Sequence, residues 1–389
     1  MALINKLSAI GDAIREKTGK EDLLTLDQMP EEIKGISGGG DIELDPIVLT
    51  GNCEYFCSGP VSGAYINEFG HTISTKNITT GKYMFYRNEK VKEIPFEINL
   101  STASSLSNMF LDCKNLKTIN SINSDGTTKL SCSSTFKNCY QLKSVVFNNC
   151  NITEFTSVFE NCYNLNKIEL NNTTLSNLTT GYMNYLFSHC YSLKDLPENI
   201  FDGINPAWSS SRNTIYYGGF YYCCVLNSIT DIPVGGTLTS NSFSDFALRC
   251  YRLKDLTFTN RVPTANWKNQ TIDLSGFIGY APFPEEMLNY NSGITADKEV
   301  KDEATYQALK NDPDWYSCQS AYSRYNHDSA VATINSLPDT SAYLATAGGT
   351  NTIKFKGNAG SLTDGGAINT LTEEEIAVAT NKGWTITFI

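Results

Sequence analysis

Residues 159–170, FENCYNLNKIEL, carry the pattern that decides the fold. Phe159 is followed after three residues by Cys162, after three more by Leu165 and after three more by Ile168. The same order recurs in four further copies: Phe110-Cys113-Leu116-Ile119, Phe136-Cys139-Leu142-Val145, Phe187-Cys190-Leu193-Leu196 and Phe220-Cys223-Leu226-Ile229. Degenerate copies bracket them: Phe85-Asn88-Val91-Ile94 and Ala247-Cys250-Leu253-Leu256. Successive repeat cysteines lie 26, 23, 28, 33 and 27 residues apart, and a repeat of this period predicts a solenoid.

The spacing within one copy predicts the structure of each coil. Ile168 and Leu170 alternate with polar residues, as the residues of a short strand do. Phe159 and Cys162 are three residues apart, which would place them on one face of a single helical turn. We therefore expect a helical turn, a bend and a strand, with the four repeat residues pointing inward. Cysteine suits this place because a thiol is a small hydrophobe that donates a weak hydrogen bond to a neighbouring coil's carbonyl.

The repeat resembles the BspA-type leucine-rich repeats of bacterial surface proteins, whose unit is aF-x-x-C-x-x-L-x-x-I-x-(I/L)-P. The proline is kept at Ile94-Pro95, at Leu196-Pro197 and, one coil position late, at Ile232-Pro233. The resemblance implies an α+β leucine-rich-repeat solenoid of short strands and helical turns over residues 81–260. The variable spacing, and Ala247 in place of a phenylalanine, depart from the pattern and predict an irregular solenoid.

Composition restricts the classes of partner and site. A net charge of −11 argues against nucleic acid or an anionic membrane as a partner. No apolar run approaches 18 residues, and the first 20 residues lack the apolar stretch of a signal peptide, so we expect synthesis in a cytoplasm and no membrane insertion. His71, His189 and His327 lie far apart in the sequence, and no Cys-x-x-Cys pair occurs, so no metal site or cofactor is predicted.

Half of the twelve cysteines occupy one repeat position. These six are expected to be reduced, inward-facing members of the core: Cys113, Cys139, Cys162, Cys190, Cys223 and Cys250. Disulfides between stacked coils are the alternative, and a reducing compartment disfavours them.

Residues 1–36 are predicted to form a helical segment for attachment and oligomerisation. Leu3, Leu7, Ile10 and Ile14 alternate at spacings of three and four residues, typical of a coiled-coil seam. A Gly-rich linker, 37–40, follows. The opening resembles a leader found in tail-associated proteins of phages and prophages of Gram-positive bacteria, which implies attachment to a tail. The seam is expected to join three copies, as is usual for fibres, and a seam this short also allows a dimer. A generic amphipathic helical hairpin is the alternative interpretation.

The flanks of the repeats are predicted to close the solenoid. Residues 41–80 alternate apolar and polar residues and are expected to form a β N-terminal cap. Residues 261–325 break the pattern and are interpreted as an irregular insertion, and residues 326–389 as C-terminal repeats or a cap. In that last segment we expect a helix over 330–337, a strand over 351–355, a helix opened by a Thr372–Glu375 capping box and ended by Gly383, and a closing strand over 384–388.

No catalytic motif is found, and the Glu285-Glu286 and Glu373–Glu375 carboxylates fix no catalytic separation, so the chain is not expected to be an enzyme. Aromatic residues are the candidate binding groups. Tyr140, Tyr163, Tyr191 and Tyr251 follow the repeat cysteine and are interpreted as a packing ladder rather than a ligand stripe. Receptor-binding candidates come from the insertions: Trp208, Tyr216, Tyr217, Trp267, Tyr280 and Phe283.

These features together predict a phage, or phage-derived, tail fibre or receptor-binding protein located in the virion tail. Its expected partners are copies of itself, tail or baseplate proteins, and a bacterial surface glycan or protein. The alternatives are a leucine-rich-repeat surface adhesin and an intracellular interaction scaffold.

Overall fold

The computed structural model describes residues 11–12, 14, 47–59, 73–100, 102–175, 183–202, 216–234, 243, 245–248, 250, 253–260, 268–275, 325–355 and 370–389. Its strands, in chain order, are β1 (Ile47–Asn52), β2 (Ile73–Thr80), β3 (Glu93–Ile94), β4 (Ile98–Leu100), β5 (Thr118–Ile119), β6 (Ile122–Ser124), β7 (Lys129–Ser131), β8 (Ser144–Asn148), β9 (Asn151–Glu154), β10 (Lys167–Asn171), β11 (Thr174–Leu175), β12 (Ser228–Val234), β13 (Asp255–Asn260), β14 (Thr271–Asp273), β15 (Asn351–Phe355) and β16 (Trp384–Phe388).

Every strand pairing in this part of the chain is parallel and joins neighbouring coils. One row runs β3–β5–β8–β10. Strand β6 also pairs with the end of β8, and β4 pairs with β6. A second row, β7–β9–β11, lies further along the same coils. Short parallel strands stacked in this way form a β-solenoid, which the repeat predicted, although the second row of strands was not foreseen.

The predicted helical turns are wrong, because the Phe-x-x-Cys segments are chains of tight turns. The N–H of Cys139 bonds to the carbonyl of Phe136 at 3.0 Å, and Asn138 between them has a φ of 64°. The N–H groups of Phe136 and Asn138 bond to Val158 and Glu160 of the next coil. A helix would use these donors internally, so bonding between coils replaces it. Positive φ recurs two residues before and after each repeat phenylalanine, at Tyr83, Arg87, Asn108, Asp112, Ser134, Asn138, Ser157, Asn161, Tyr185, His189, Gly218 and Tyr222.

The inward side chains form two ladders along the solenoid axis. One consists of stacked rings with neighbouring centroids 4.9–5.8 Å apart: Phe85, Phe110, Phe136, Phe159, Phe187 and Phe220. The other consists of the six repeat cysteines, each buried and each donating its thiol to the phenylalanine carbonyl of the preceding coil at 3.0–3.2 Å. Each coil therefore buries its apolar residues only against its neighbours.

Asparagines hold the strands in register on the outer side of the first row. The side-chain amide of Asn123 donates to Asn99 at 2.9 Å, that of Asn148 to Asn123 at 2.8 Å, and that of Asn171 to Asn148 at 3.0 Å. A one-residue slip between coils would break this chain of amides, so it adds specificity to the apolar stacking.

The repeat extends towards the amino terminus beyond the expected boundary at residue 81. Residues 53–59 form the same turns, and the N–H groups of Cys57 and Gly59 bond to Met84 and Tyr86 of the following coil at 2.6 Å. Cys57 thus occupies the repeat position of Phe85. Leu3, Leu7 and Ile10 of the expected seam lie outside the described residues. Ile14 is helical and 5% exposed, and the seam as a whole stays a prediction.

The carboxyl-terminal segment closes the solenoid through helices α1 (His327–Ser336), α2 (Ser341–Ala347) and α3 (Glu373–Asn381). The N–H of Phe258 bonds to the hydroxyl of Ser336 at 2.9 Å, so α1 lies directly on β13. The predicted strands, the capping box of α3 and the turn at Gly383 are all present, whereas α2 was not expected. Part of the expected irregular insertion is also ordered, because β14 pairs with β15.

Candidate binding surface

The structure places the sequence-predicted binding residues in three different situations. Tyr216 is fully buried and donates its hydroxyl to the carbonyl of Pro233, so its assignment to a binding surface was wrong. Its neighbour Tyr217 is half-buried at the surface. Trp208, Trp267, Tyr280 and Phe283 lie outside the described residues.

The tyrosines that follow the repeat cysteines form a packing ladder. Tyr140 and Tyr163 stack with centroids 4.7 Å apart, and Tyr163 and Tyr191 stack at 5.0 Å. Tyr163 and Tyr191 are buried, at 7% and 1% exposure, which leaves little ring surface for a ligand. Tyr251 is outside the described residues.

A cluster of half-buried rings covers the turns of two adjacent coils, at residues 183–193 and 216–226. We call it the aromatic patch; it consists of Tyr185, His189, Tyr217, Tyr221 and Tyr222. The coils are joined by backbone bonds from the N–H groups of Tyr185 and His189 to the carbonyls of Tyr217 and Tyr221, at 3.1 and 2.6 Å. The scaffold beneath the patch is therefore part of the solenoid itself.

His189 lies at the centre of the patch. Its ring stacks on Tyr222 with centroids 4.9 Å apart, and the ring of Tyr221 meets it edge-on at 5.1 Å. The buried Tyr191 supports it from below at 5.7 Å. The hydroxyl of Ser188 lies 2.9 Å from Nδ1 of His189, which orients the imidazole. These contacts hold the rings in fixed positions before any ligand arrives.

Tyr185 forms the other half of the patch. Its ring meets that of Tyr217 at 5.2 Å and 89°. Gly218, with a φ of 58°, makes room for it, because a Cβ at this position would lie 2.8 Å from the ring of Tyr185. Burial and a hydrogen bond with Tyr217 raise the pKa of Tyr185, so its hydroxyl stays protonated at neutral pH.

The patch carries no formal charge of its own. Residues 183–193 and 216–230 contain no Asp, Glu, Lys or Arg. The carboxylates of Glu160 and Asp245, in the coils on either side, add to the rise in the pKa of Tyr185. A ligand here would meet ring faces, ring edges and hydroxyls, flanked by negative charge.

The turns near the amino-terminal end of the solenoid also carry aromatic rings, here with cations over them, one of which, Arg87, pairs with Asp112 at 3.4 Å. Tyr55 stacks on Tyr83 at 5.0 Å, the ammonium of Lys82 lies 5.1 Å from the Tyr83 ring, and the guanidinium of Arg87 lies 5.0 Å from the Tyr86 ring. Because Tyr83 and Tyr86 occupy the repeat positions of Tyr185 and Tyr221, this cluster is a natural reference for the aromatic patch.

The described residues offer no arrangement suited to metal binding or thiol chemistry. They contain no group of three or more His, Cys, Asp or Glu side chains that could hold an ion. None of their eleven cysteines is in a disulfide. Burial raises the pKa of the repeat thiols Cys113, Cys139, Cys162, Cys190 and Cys223, which keeps them un-ionised and unreactive. In the same part of the chain, no helix is long and apolar enough to cross a bilayer.

A family model for the BspA type leucine rich repeat region matches residues 62–194 and 125–249, with six copies. The match, over just under half of the chain, supports BspA-type leucine-rich repeats in residues 62–249. The match begins before residue 81, in agreement with the coils seen there. No curated protein and no solved structure matches the chain. BspA-type repeats indicate a protein-interaction or adhesin-type role, since a solenoid of this kind is typically a non-enzymatic interaction scaffold.

The sequence analysis named Tyr217 as a binding candidate but not Tyr185 or His189. Their signal was present in the repeat: they lie two residues before and two residues after Phe187, where the backbone turns outward. Those positions are half-buried or exposed in most coils, although Ser157 and Gly218 are buried, so an aromatic residue there is a better binding candidate than one in an insertion.

Proposed function

We propose that the chain is the receptor-binding protein of a phage or phage-derived tail, attached by its amino-terminal segment and contacting a bacterial surface through its BspA-type repeats. The aromatic patch is the observation that carries this proposal. Tyrosine offers a large contact area at a low cost in conformational entropy, and such residues dominate interface energies.

The solenoid supports this role through the rigidity of the patch. Tyr185, His189 and Tyr222 project from left-handed backbone that is fixed by bonds between coils. Few rotamers are then lost on binding, so little of the interaction energy is spent on ordering the side chains.

The sequence of residues 1–36 supports the tail assignment, since it resembles the leader of phage tail-associated proteins. Reduced cysteines fit a protein that folds in a bacterial cytoplasm before assembly into particles. The proposal therefore includes tail or baseplate proteins and further copies of the chain, most simply two, as partners.

A surface adhesin built from the same repeats is the second candidate, because BspA-type repeats by themselves favour an interaction role on a cell surface. The two candidates differ in where the protein resides: an adhesin belongs on the producing cell, whereas a tail protein belongs on particles.

The test measures two properties of the full-length protein: binding to cells and incorporation into particles. Purified protein should bind to whole cells of a panel of Gram-positive strains, and protein expressed with the tail genes should sediment with particles. Deleting residues 1–40 should abolish incorporation while leaving the melting temperature of the repeats unchanged. Normal incorporation of the truncated protein would refute the attachment role, and no binding to any strain would refute the receptor-binding role.

A further inference from the structure

We propose that the aromatic patch binds an uncharged polysaccharide of the cell surface. This inference rests on the proposed receptor-binding function and adds the chemical class of the ligand. It depends on three properties of the patch: its lack of charge, the mutual orientation of its rings and its contrast with the turns near the amino-terminal end of the solenoid.

Within the two described turns, the lack of charge disfavours ligands that bind through ions. No Lys or Arg lies within residues 183–193 or 216–230 to neutralise a phosphate or a carboxylate. The carboxylate of Asp245, in the coil on one side, would repel an anionic polymer. Glu160 is paired with Lys137 at 2.8 Å, on the side away from the uncharged coils, so that lysine is already engaged.

The ring geometry suits a sugar better than a flat aromatic or an extended apolar chain. Tyr185 and Tyr217 stand at 89° to each other, and Tyr221 and Tyr222 at 82°, so each pair presents one ring face beside one ring edge. A pyranose has apolar C–H faces and a polar rim of hydroxyls. Its C–H groups can lie on a tyrosine face while its hydroxyls bond to phenol groups at the edge of the patch.

The turns near the amino-terminal end of the solenoid give a matched comparison. Tyr83 occupies the repeat position of Tyr185 and has the same left-handed backbone, with φ values of 56° and 52°. The ammonium group of Lys82 lies over the ring of Tyr83, whereas no Lys or Arg lies within residues 183–193 around Tyr185. Removing either ring should perturb the solenoid similarly, while only the loss of Tyr185 should affect sugar binding.

The experiment measures binding of the full-length protein to cells of a strain that it recognises. One sample of cells is oxidised with periodate, which cleaves sugar vicinal diols, and another is digested with proteinase K. Binding should be lost after periodate and retained after proteinase K. Raising the salt concentration from about 50 to about 500 mM should change the affinity by less than about twofold, because no counterions are released.

Tyr185→Ala should weaken binding by at least about tenfold, while Tyr83→Ala should leave it within about twofold of wild type. Loss of binding after proteinase K would mean a protein receptor, and a fall of tenfold or more with salt would mean an anionic polymer. Either result, or binding that survives periodate, overturns the sugar assignment and leaves the receptor-binding function standing. Equal losses in the two variants would remove the patch as the site. Failure of the wild-type protein to bind any cells would instead refute the proposed function.

Discussion

Replacing Phe159 with alanine should show how strongly the solenoid depends on its ring ladder. Phe159 is fully buried, stacks on Phe136 at 5.8 Å and on Phe187 at 5.7 Å, and meets Phe155 edge-on at 5.8 Å. Phe→Ala in a core costs about 3–5 kcal/mol, and this ring contacts both neighbouring coils, so we expect a loss of about 4 kcal/mol in the free energy of unfolding.

The assay is urea unfolding followed by far-ultraviolet circular dichroism, with two control variants. Phe159→Leu keeps the apolar volume but removes the stacking, and should cost about 1.5 kcal/mol. Phe388→Ala removes a side chain that is 39% exposed on the last strand, and should cost less than about 1 kcal/mol. A loss below about 1 kcal/mol for Phe159→Ala would refute the stacked core.

Three further predictions concern the thiols, the patch backbone and the cap. Under denaturing conditions all twelve cysteines should react with a thiol reagent, whereas in the native protein none of the eleven described cysteines should react promptly. Gly218→Ala should lower the melting temperature, because alanine is strained at a φ of 58° and its Cβ would lie 2.8 Å from the ring of Tyr185. Since this clash displaces the ring of Tyr185, the substitution should also weaken cell binding. Burial alone would lower the pKa of His327, but hydrogen bonds to Asp328 and Glu375 outweigh it and raise the pKa. The protonated imidazole therefore stabilises the fold below pH 6.5, and this stabilisation is lost as the pH rises through the raised pKa of His327. The wild-type protein should melt at a higher temperature than His327→Gln at acidic pH, and the difference should shrink at alkaline pH.

The inward positions of the repeat could be predicted from sequence because burial alone selects them. Phe, Cys, Leu and an aliphatic residue recur at the same spacing in successive copies, and the structure buries Phe159, Cys162, Leu165 and Ile168. The cap elements from Thr372 onwards were equally predictable, since their capping box and terminal glycine act locally.

The backbone between these positions could not be predicted, because bonds between coils decide it. Asn138 and Asn161 tolerate left-handed backbone, but Ser157 and Tyr185 have no strong preference for it and adopt it through bonds to the next coil. The burial of Tyr216 was missed for a similar reason. The carbonyl that accepts its hydroxyl hydrogen bond belongs to Pro233, 17 residues further along the chain. The long step between Cys190 and Cys223 also hides which repeat position Tyr216 occupies.

The most direct test of the binding surface compares Tyr221→Ala with Tyr86→Ala. The two tyrosines follow the ladder phenylalanines Phe220 and Phe85 and are both half-buried, so the substitutions remove similar rings from the same repeat position. The measurement is the equilibrium dissociation constant of each full-length variant for isolated cell walls of a recognised strain, with circular dichroism to show equal folding. The account predicts a dissociation constant at least about tenfold higher than wild type for Tyr221→Ala and one within about twofold of wild type for Tyr86→Ala. Unchanged binding by a folded Tyr221→Ala protein would contradict it.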